Sequence, residues 1–179
     1  PDWLILLARF LAQMLIGLAS VLAGVVGYEI GARMPWISPG LSGAVPWRAW
    51  TSAFCILAVP TVAAVSSTAM CVASATQNRF ASWVLPLAFW MLTPVAVMAA
   101  ARGFTTLGPV IDPIGTTAVL AATLTLTPAE QQTWHVGFSG LMQNNRVFWL
   151  TVSALALALA SAIVSRRSGT VWFPALQAL

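Results

Sequence analysis

The chain has no lysine, one histidine, one tyrosine and only four acidic residues, and charged residues make up 7% of its 179 positions, where a soluble domain carries roughly a quarter. Without lysine there is no phosphate-binding loop of the Walker type, so any nucleotide that drives the protein is bound by another polypeptide. The four acids, Asp2, Glu29, Asp112 and Glu130, stand far apart at expected helix ends, and a nucleophile with its base and orienting group cannot be assembled around them. No catalytic set and no cofactor are expected. His135 is alone in a loop segment, short of the three or four convergent ligands that a metal needs. The six methionines are dispersed and read as packing residues. Cys55 and Cys71 are 16 residues apart on one expected helix, about 24 Å along its axis, beyond the roughly 7 Å reach of a disulfide; they are expected as small buried thiols. All eight basic residues are arginine and, apart from Arg166-Arg167, they stand singly, so no nucleic-acid patch exists.

What the chain has in abundance is apolar sequence, 59% of its residues. A hydrocarbon core of about 30 Å takes roughly 20 mostly apolar helical residues to cross, because backbone groups there have no water to bond with. Four runs meet that requirement: 3–27, 50–75, 82–101 and 147–165. The expected architecture is all-α, a single polytopic transmembrane bundle with an outer helical loop at 102–146. The alternation in Ser153-Ala154-Leu155-Ala156-Leu157-Ala158-Leu159-Ala160 imitates a strand, but a barrel strand needs only about 10 residues and the apolar run is about twice that, so it reads as helix. The first run is too long for a secretory signal and is a retained helix. Because the chain opens on Pro1 and runs straight into a span, an N-terminal part is expected to be missing.

Four spans put both chain ends on one side. With that side cytoplasmic, Arg9, Arg79, Arg166 and Arg167 lie inside and Arg33, Arg48, Arg102 and Arg146 outside, an even count. Short loops near span ends weigh most, so the tight turn around Asn78 and Arg79 and the Arg166-Arg167 pair are assigned to the cytoplasm. The outside loop at 28–49 is a turn-rich hairpin with Pro35, Pro39, Gly40, Gly43 and Pro46. Its Trp36 and Trp47 read either as belt residues at headgroup level or as a stacking surface for a ligand.

The polar island at 102–146 is written in helix caps. Asp112 before Pro113 reads as an N-cap with proline at the first helical position, opening a short helix that includes Gly115 and continues to about Leu124. Thr127-Pro128-Ala129-Glu130 repeats the device as a full capping box. Asn145 reads as the cap of the last span, with Arg146 at the membrane face and Phe148 and Trp149 entering the interface. These two short helices and a re-entry turn are expected as an outer rim over the bundle, made by Asp112, Pro113, Gly115, Thr127, Pro128, Glu130, Asn145, Arg146 and Trp149.

The order Asp-Pro-x-Gly at Asp112, Thr-Pro-Ala-Glu at Thr127, and Asn-Arg-x-x-Trp at Asn145 opening a span that ends in Arg166-Arg167 resembles the C-terminal part of ABC type-2 exporter permeases. The nearest likeness is to the subset linked to multicopper-enzyme maturation and to permeases joined to a membrane-bound aminopeptidase domain. In these, as at Thr76 to Arg79 here, a Thr-x-x-Arg-like turn follows a proline-containing span of small residues. The resemblance implies six spans per unit, of which this chain holds the last four. It also implies a separate ABC ATPase subunit, a second permease copy, alternating access within membrane lipid, and a bacterial inner-membrane location. The chain departs from the family where Glu-Arg-Asn often follows Thr-Pro-Ala, since it has Glu130-Gln131-Gln132.

Among the spans the second is the functional candidate. Pro60 should kink it, and Ala63, Ser67, Cys71 and Ala75 repeat every four residues, a small-residue stripe that serves either close helix packing or the lining of a pathway. Two functions therefore stand side by side: a permease subunit of an ABC exporter, or a non-transporting scaffold of a larger membrane complex in which the stripe serves only helix association.

Overall fold

The protein is seen in a computed structural model that describes residues 2–35 and 45–168. The apolar runs form helices throughout: α1 (Asp2–Gly31), α2 (Trp47–Ala53), a π-helical turn (Phe54–Ala58), α3 (Val59–Thr76), α4 (Arg79–Ala101), α5 (Leu107–Ile111), α6 (Thr116–Thr123), α7 (Pro128–Thr133) and α8 (Gly140–Ser168), with no strand among the described residues. Four stretches are long and apolar enough to cross a membrane, namely Trp3–Gly31, Trp47–Thr76, Trp83–Ala101 and Gly140–Arg167. The chain is an integral membrane protein built as an all-α bundle. Of the hairpin expected at 28–49, the middle, residues 36–44, lies outside the described residues, while α1 runs on to Gly31 and α2 starts at Trp47.

The kink expected at Pro60 takes a particular form. Proline has no N–H and its ring would crowd the carbonyl four residues back. The chain relieves this by widening the turn just before it, where the Val59 N–H bonds the Phe54 carbonyl, five residues back. α2 and α3 thus continue as one span through a π bulge. At the other end of α3, Gln77 turns left-handed at φ 53° and stops the helix. Asn78 then caps α4, its side chain accepting from the Phe80 N–H at 2.9 Å.

α3 is the hub, packing against α8, α4 and α1. Its buried residues are Pro60, Ala63, Ala64, Ser66, Ser67 and Met70. The strand-like alternation in α8 resolves by helical period: Trp149, Ser153, Ala156 and Ala160 are buried while Leu155 and Leu159 face outward. Small residues inside and leucines outside suit a bundle whose solvent is lipid. Phe89 of α4 and Trp149 of α8 meet over Ala64 of α3, ring centroids 5.2 Å apart. α1 lies at the periphery with Leu11, Leu15 and Ile16 exposed. It approaches α3 closely at Gly17, where a Cβ would stand 2.6 Å from Val62 Cγ1.

The cysteines need a correction, since Cys55 is exposed and Cys71 only partly buried. The π turn carries Cys55 on the outer side of its span. The island also departs from its expected form in three places. α5 precedes Asp112 and was not foreseen; a Cβ on Gly108 would stand 2.7 Å from the Ala96 carbonyl oxygen, so glycine is what lets α5 lie on α4. The helix after Asp112 starts at Thr116, not at Pro113, because Gly115 sits at φ 86° and makes a turn first. Asn145 caps nothing: α8 starts at Gly140, and Asn145 is inside it and fully buried.

α7 begins as expected. The Thr127 side chain accepts from the Glu130 N–H, and the Glu130 carboxylate accepts from the Thr127 N–H at 2.7 Å. The hydrogen bonds that the carboxylate accepts from the Thr127 N–H and hydroxyl hold the Glu130 carboxyl below its ordinary value. Thr127→Ala is expected to raise amide hydrogen exchange in α7 about fivefold, the effect of losing one N-cap, while exchange in α8 stays unchanged.

Candidate functional site

A five-residue helix leaves nearly all of its terminal carbonyls without intrahelical partners, and α5 ends inside the protein rather than in water. α8 supplies the donors. Asn145 donates from Nδ2 to the carbonyls of Pro109 (2.6 Å), Val110 (3.1 Å) and Asp112 (2.7 Å). One helical turn on, Trp149 donates from Nε1 to the Val110 carbonyl at 3.1 Å. Residues four apart share a helix face, so the Asn-x-x-x-Trp spacing places both donors against α5.

Asp112, at the end of α5, is fully buried and accepts four hydrogen bonds. Oδ1 receives the Thr93 hydroxyl of α4 (2.9 Å) and the Ile114 N–H (3.1 Å); Oδ2 receives the Thr116 hydroxyl (2.8 Å) and the Thr117 N–H (2.7 Å). The last of these satisfies the first turn of α6, so Asp112 caps that helix from outside it. Burial alone would push the carboxyl upward, but the hydrogen bonds from Thr117, Thr116 and Thr93 outweigh it and hold the carboxyl below its ordinary value.

A depressed carboxyl stabilises the fold fully above its unfolded pKa of about 3.9 and loses that contribution as pH falls through the depressed value. The melting temperature is therefore expected to fall more steeply below about pH 4 in the native chain than in Asp112→Asn. Parallel melting curves of the two in detergent would count against this.

Arg146 follows Asn145 and is likewise buried. Its Nη1 donates to the Thr61 hydroxyl at 3.1 Å and the Leu57 carbonyl at 3.3 Å, and the Thr61 hydroxyl donates on to the Pro113 carbonyl at 2.9 Å. Leu57 belongs to the π turn. Nη2 lies over Gly115, where any Cβ would collide with it. Nε and Nη2 of Arg146, Oδ1 of Asn145 and Oγ1 of Thr117 have no partner among the described residues. The one ion pair among the described residues is Arg33 with Glu29, so Arg146 and Asp112 act on each other through space.

No protein-family model, no curated protein and no solved structure matches this chain.

The nine rim candidates divide accordingly. Asp112, Pro113, Gly115, Asn145, Arg146 and Trp149 converge in one buried node between α3, α4, α5, α6 and α8, while Thr127, Pro128 and Glu130 stand exposed on α7. Of the second-span candidates, Pro60 shapes the π turn, Ala63 and Ser67 are packed inside, Cys71 is half-buried and Ala75 exposed. Asn78 caps α4 at the opposite end of the bundle, and the Arg79 side chain lies outside the described residues. Thr61 and Thr93, which complete the node, were not singled out; each is a threonine directly beside a proline in a span. His135 is exposed beside α8, and no group of three or more His, Cys, Asp or Glu residues among the described ones could hold a metal.

Proposed function

We propose that the chain is a permease subunit of an ABC exporter in a bacterial inner membrane, working as one of two copies with a separate ATPase subunit. The observation that supports this reading is the convergence of its motifs. Asp-Pro-x-Gly and Asn-Arg-x-x-Trp, 33 residues apart, are joined by the Asn145 bond to the Asp112 carbonyl, and Arg146 lies over Gly115. Two of the three motifs in the shared pattern are therefore one spatial unit, while Thr-Pro-Ala-Glu remains a separate helix cap.

In a transporter, such a node makes the end of the bundle move as a body. It fastens the segment between α4 and α8 to three spans, and a bundle that alternates between two openings needs an exit that shifts as a unit. An apolar groove of about 340 Å³ lies between α1 and the second span, walled by Val21, Val25, Phe54, Leu57, Val62 and Ile114. It suits an apolar or amphipathic cargo.

The test is co-purification of the intact protein from membranes of its native host. A transporter brings down an ATPase and supports vanadate-sensitive ATP hydrolysis that disappears when this chain is deleted. Recovery without ATPase or such hydrolysis would leave the scaffold reading in its place.

A further inference from the structure

The end of the bundle away from the node has a pocket of different chemistry. α1, α3 and the last turns of α8 line an open pocket of about 540 Å³, within the roughly 300–1,000 Å³ of small-molecule sites. Arg9 and Gln13 enter it from α1, four residues apart and so on one face. Ser74 enters from α3, Gln77 from the cap that ends it and Arg167 from α8, and among the described residues no Asp or Glu lines it. The rest of the wall is apolar, including Met70 and Val164. Arg167 donates to the Ser74 carbonyl at 2.5 Å and the Ala75 carbonyl at 3.1 Å, which closes the end of α3 and fixes the guanidinium at the pocket's edge. No hydrogen bond ties Arg9 to another described residue.

The charge balance of the chain reinforces this. Three of the four acids, Glu29, Asp112 and Glu130, belong to the node end with four arginines, leaving that end at +1. The pocket end has Arg9, Arg79, Arg166 and Arg167 against Asp2 alone, +3, which together make the chain's +4. Two guanidiniums, three neutral polar side chains and an apolar wall, set between helices that cross a membrane, match one class of molecule. Guanidinium binds phosphate oxygens in paired hydrogen bonds, and basic pockets between membrane helices take anionic headgroups.

We propose that this pocket binds the phosphate headgroup of an anionic membrane phospholipid, with Arg9 and Arg167 on the phosphate and the acyl chains along the exposed leucines of α1. Lipid, and not soluble phosphate, is the occupant because about half of the wall is apolar and α1, which forms one side of it, carries the exposed Leu4, Leu7, Leu11 and Leu15.

The experiment is native mass spectrometry of the protein in detergent with phosphatidylglycerol or phosphatidylcholine added at equal concentration. One phosphatidylglycerol is expected to be retained in preference. Arg9→Gln/Arg167→Gln should lower its affinity about thirtyfold, with each basic residue near an anionic lipid contributing about fivefold, whereas Arg33→Gln at the opposite end should leave it unchanged. Since Arg167 also closes α3, the single Arg9→Gln variant is the safeguard. It should lose about fivefold with an unaltered melting temperature. Equal retention of the two lipids, or undiminished phosphatidylglycerol binding by Arg9→Gln, overturns the proposal, and so does displacement of the lipid by millimolar inorganic phosphate.

Discussion

Asp112→Ala is expected to destabilise the protein by about 3–5 kcal/mol, since it leaves several buried donors unsatisfied at about 1–3 kcal/mol each and removes the negative charge nearest a buried guanidinium. The carboxylate has no solvent exposure and accepts from Thr93, Ile114, Thr116 and Thr117. Its loss strands four donors in one place and leaves the buried Arg146 guanidinium with no negative charge near it. Arg146→Leu should be milder, because Arg146 spends a single nitrogen on its two acceptors while its Nε and Nη2 have no partner among the described residues. Asp112→Ala/Arg146→Leu should recover part of the loss, since a buried pair replaced as a unit is often close to neutral. Reversible unfolding in mixed micelles measures all three. A cost below about 1 kcal/mol for Asp112→Ala, the level of an exposed ion pair, would show that the node does not hold the bundle together.

Gly115→Ala is the second large effect, at about 3 kcal/mol. Two costs combine. Gly115 is at φ 86°, in the left-handed region where a Cβ costs roughly 1–2 kcal/mol. That Cβ would also occupy the place of Arg146 Nη2, so the guanidinium must move and give up its bonds to Thr61 and Leu57. Gly103→Ala is the matched control, since Gly103 is at φ 97° with nothing within 4 Å of its would-be Cβ. It should show only the backbone share. Gly115→Ala/Arg146→Ala should remove most of the steric share, leaving the backbone cost and a 3.2 Å approach to Leu57 Cδ2. Equal effects of Gly115→Ala and Gly103→Ala would mean that Arg146 yields at no cost.

What could be read from the sequence and what could not follows the range of the interactions. The spans were legible because hydropathy and length act residue by residue, and the capping box at Thr127 was legible because its partners are three residues apart. Asp112 was recognisable as a group that satisfies N–H donors. Its partner Thr93 is 19 residues away and in another span, so its burial was not legible. Asn145 misled because a good N-cap residue just before an apolar run is the usual sign of a helix start. A signal was present all the same. Gly140 and Ser139 also mark a helix start, and a helix from there carries Asn145 and Arg146 more than a turn into a span, where such side chains turn toward the bundle interior. α5 has no cap motif, and Gly108 and Pro109 inside it argue against helix. Its form comes from contact with α4.

The π turn before Pro60 also sets the angular phase of the second span. A π turn holds one residue more than an α turn, and one residue corresponds to about 100° of rotation on a helix of 3.6 residues per turn. Ala53 before the step and Ile56 and Leu57 within it pack against Ala118, Val136 and Met142, while Ala64, beyond it, packs with Phe89 and Trp149. One helix thus presents two apolar faces to two different partners. The extra residue keeps those faces from falling into a single stripe, so the stretch from Phe54 to Ala58 is constrained in length more tightly than in composition.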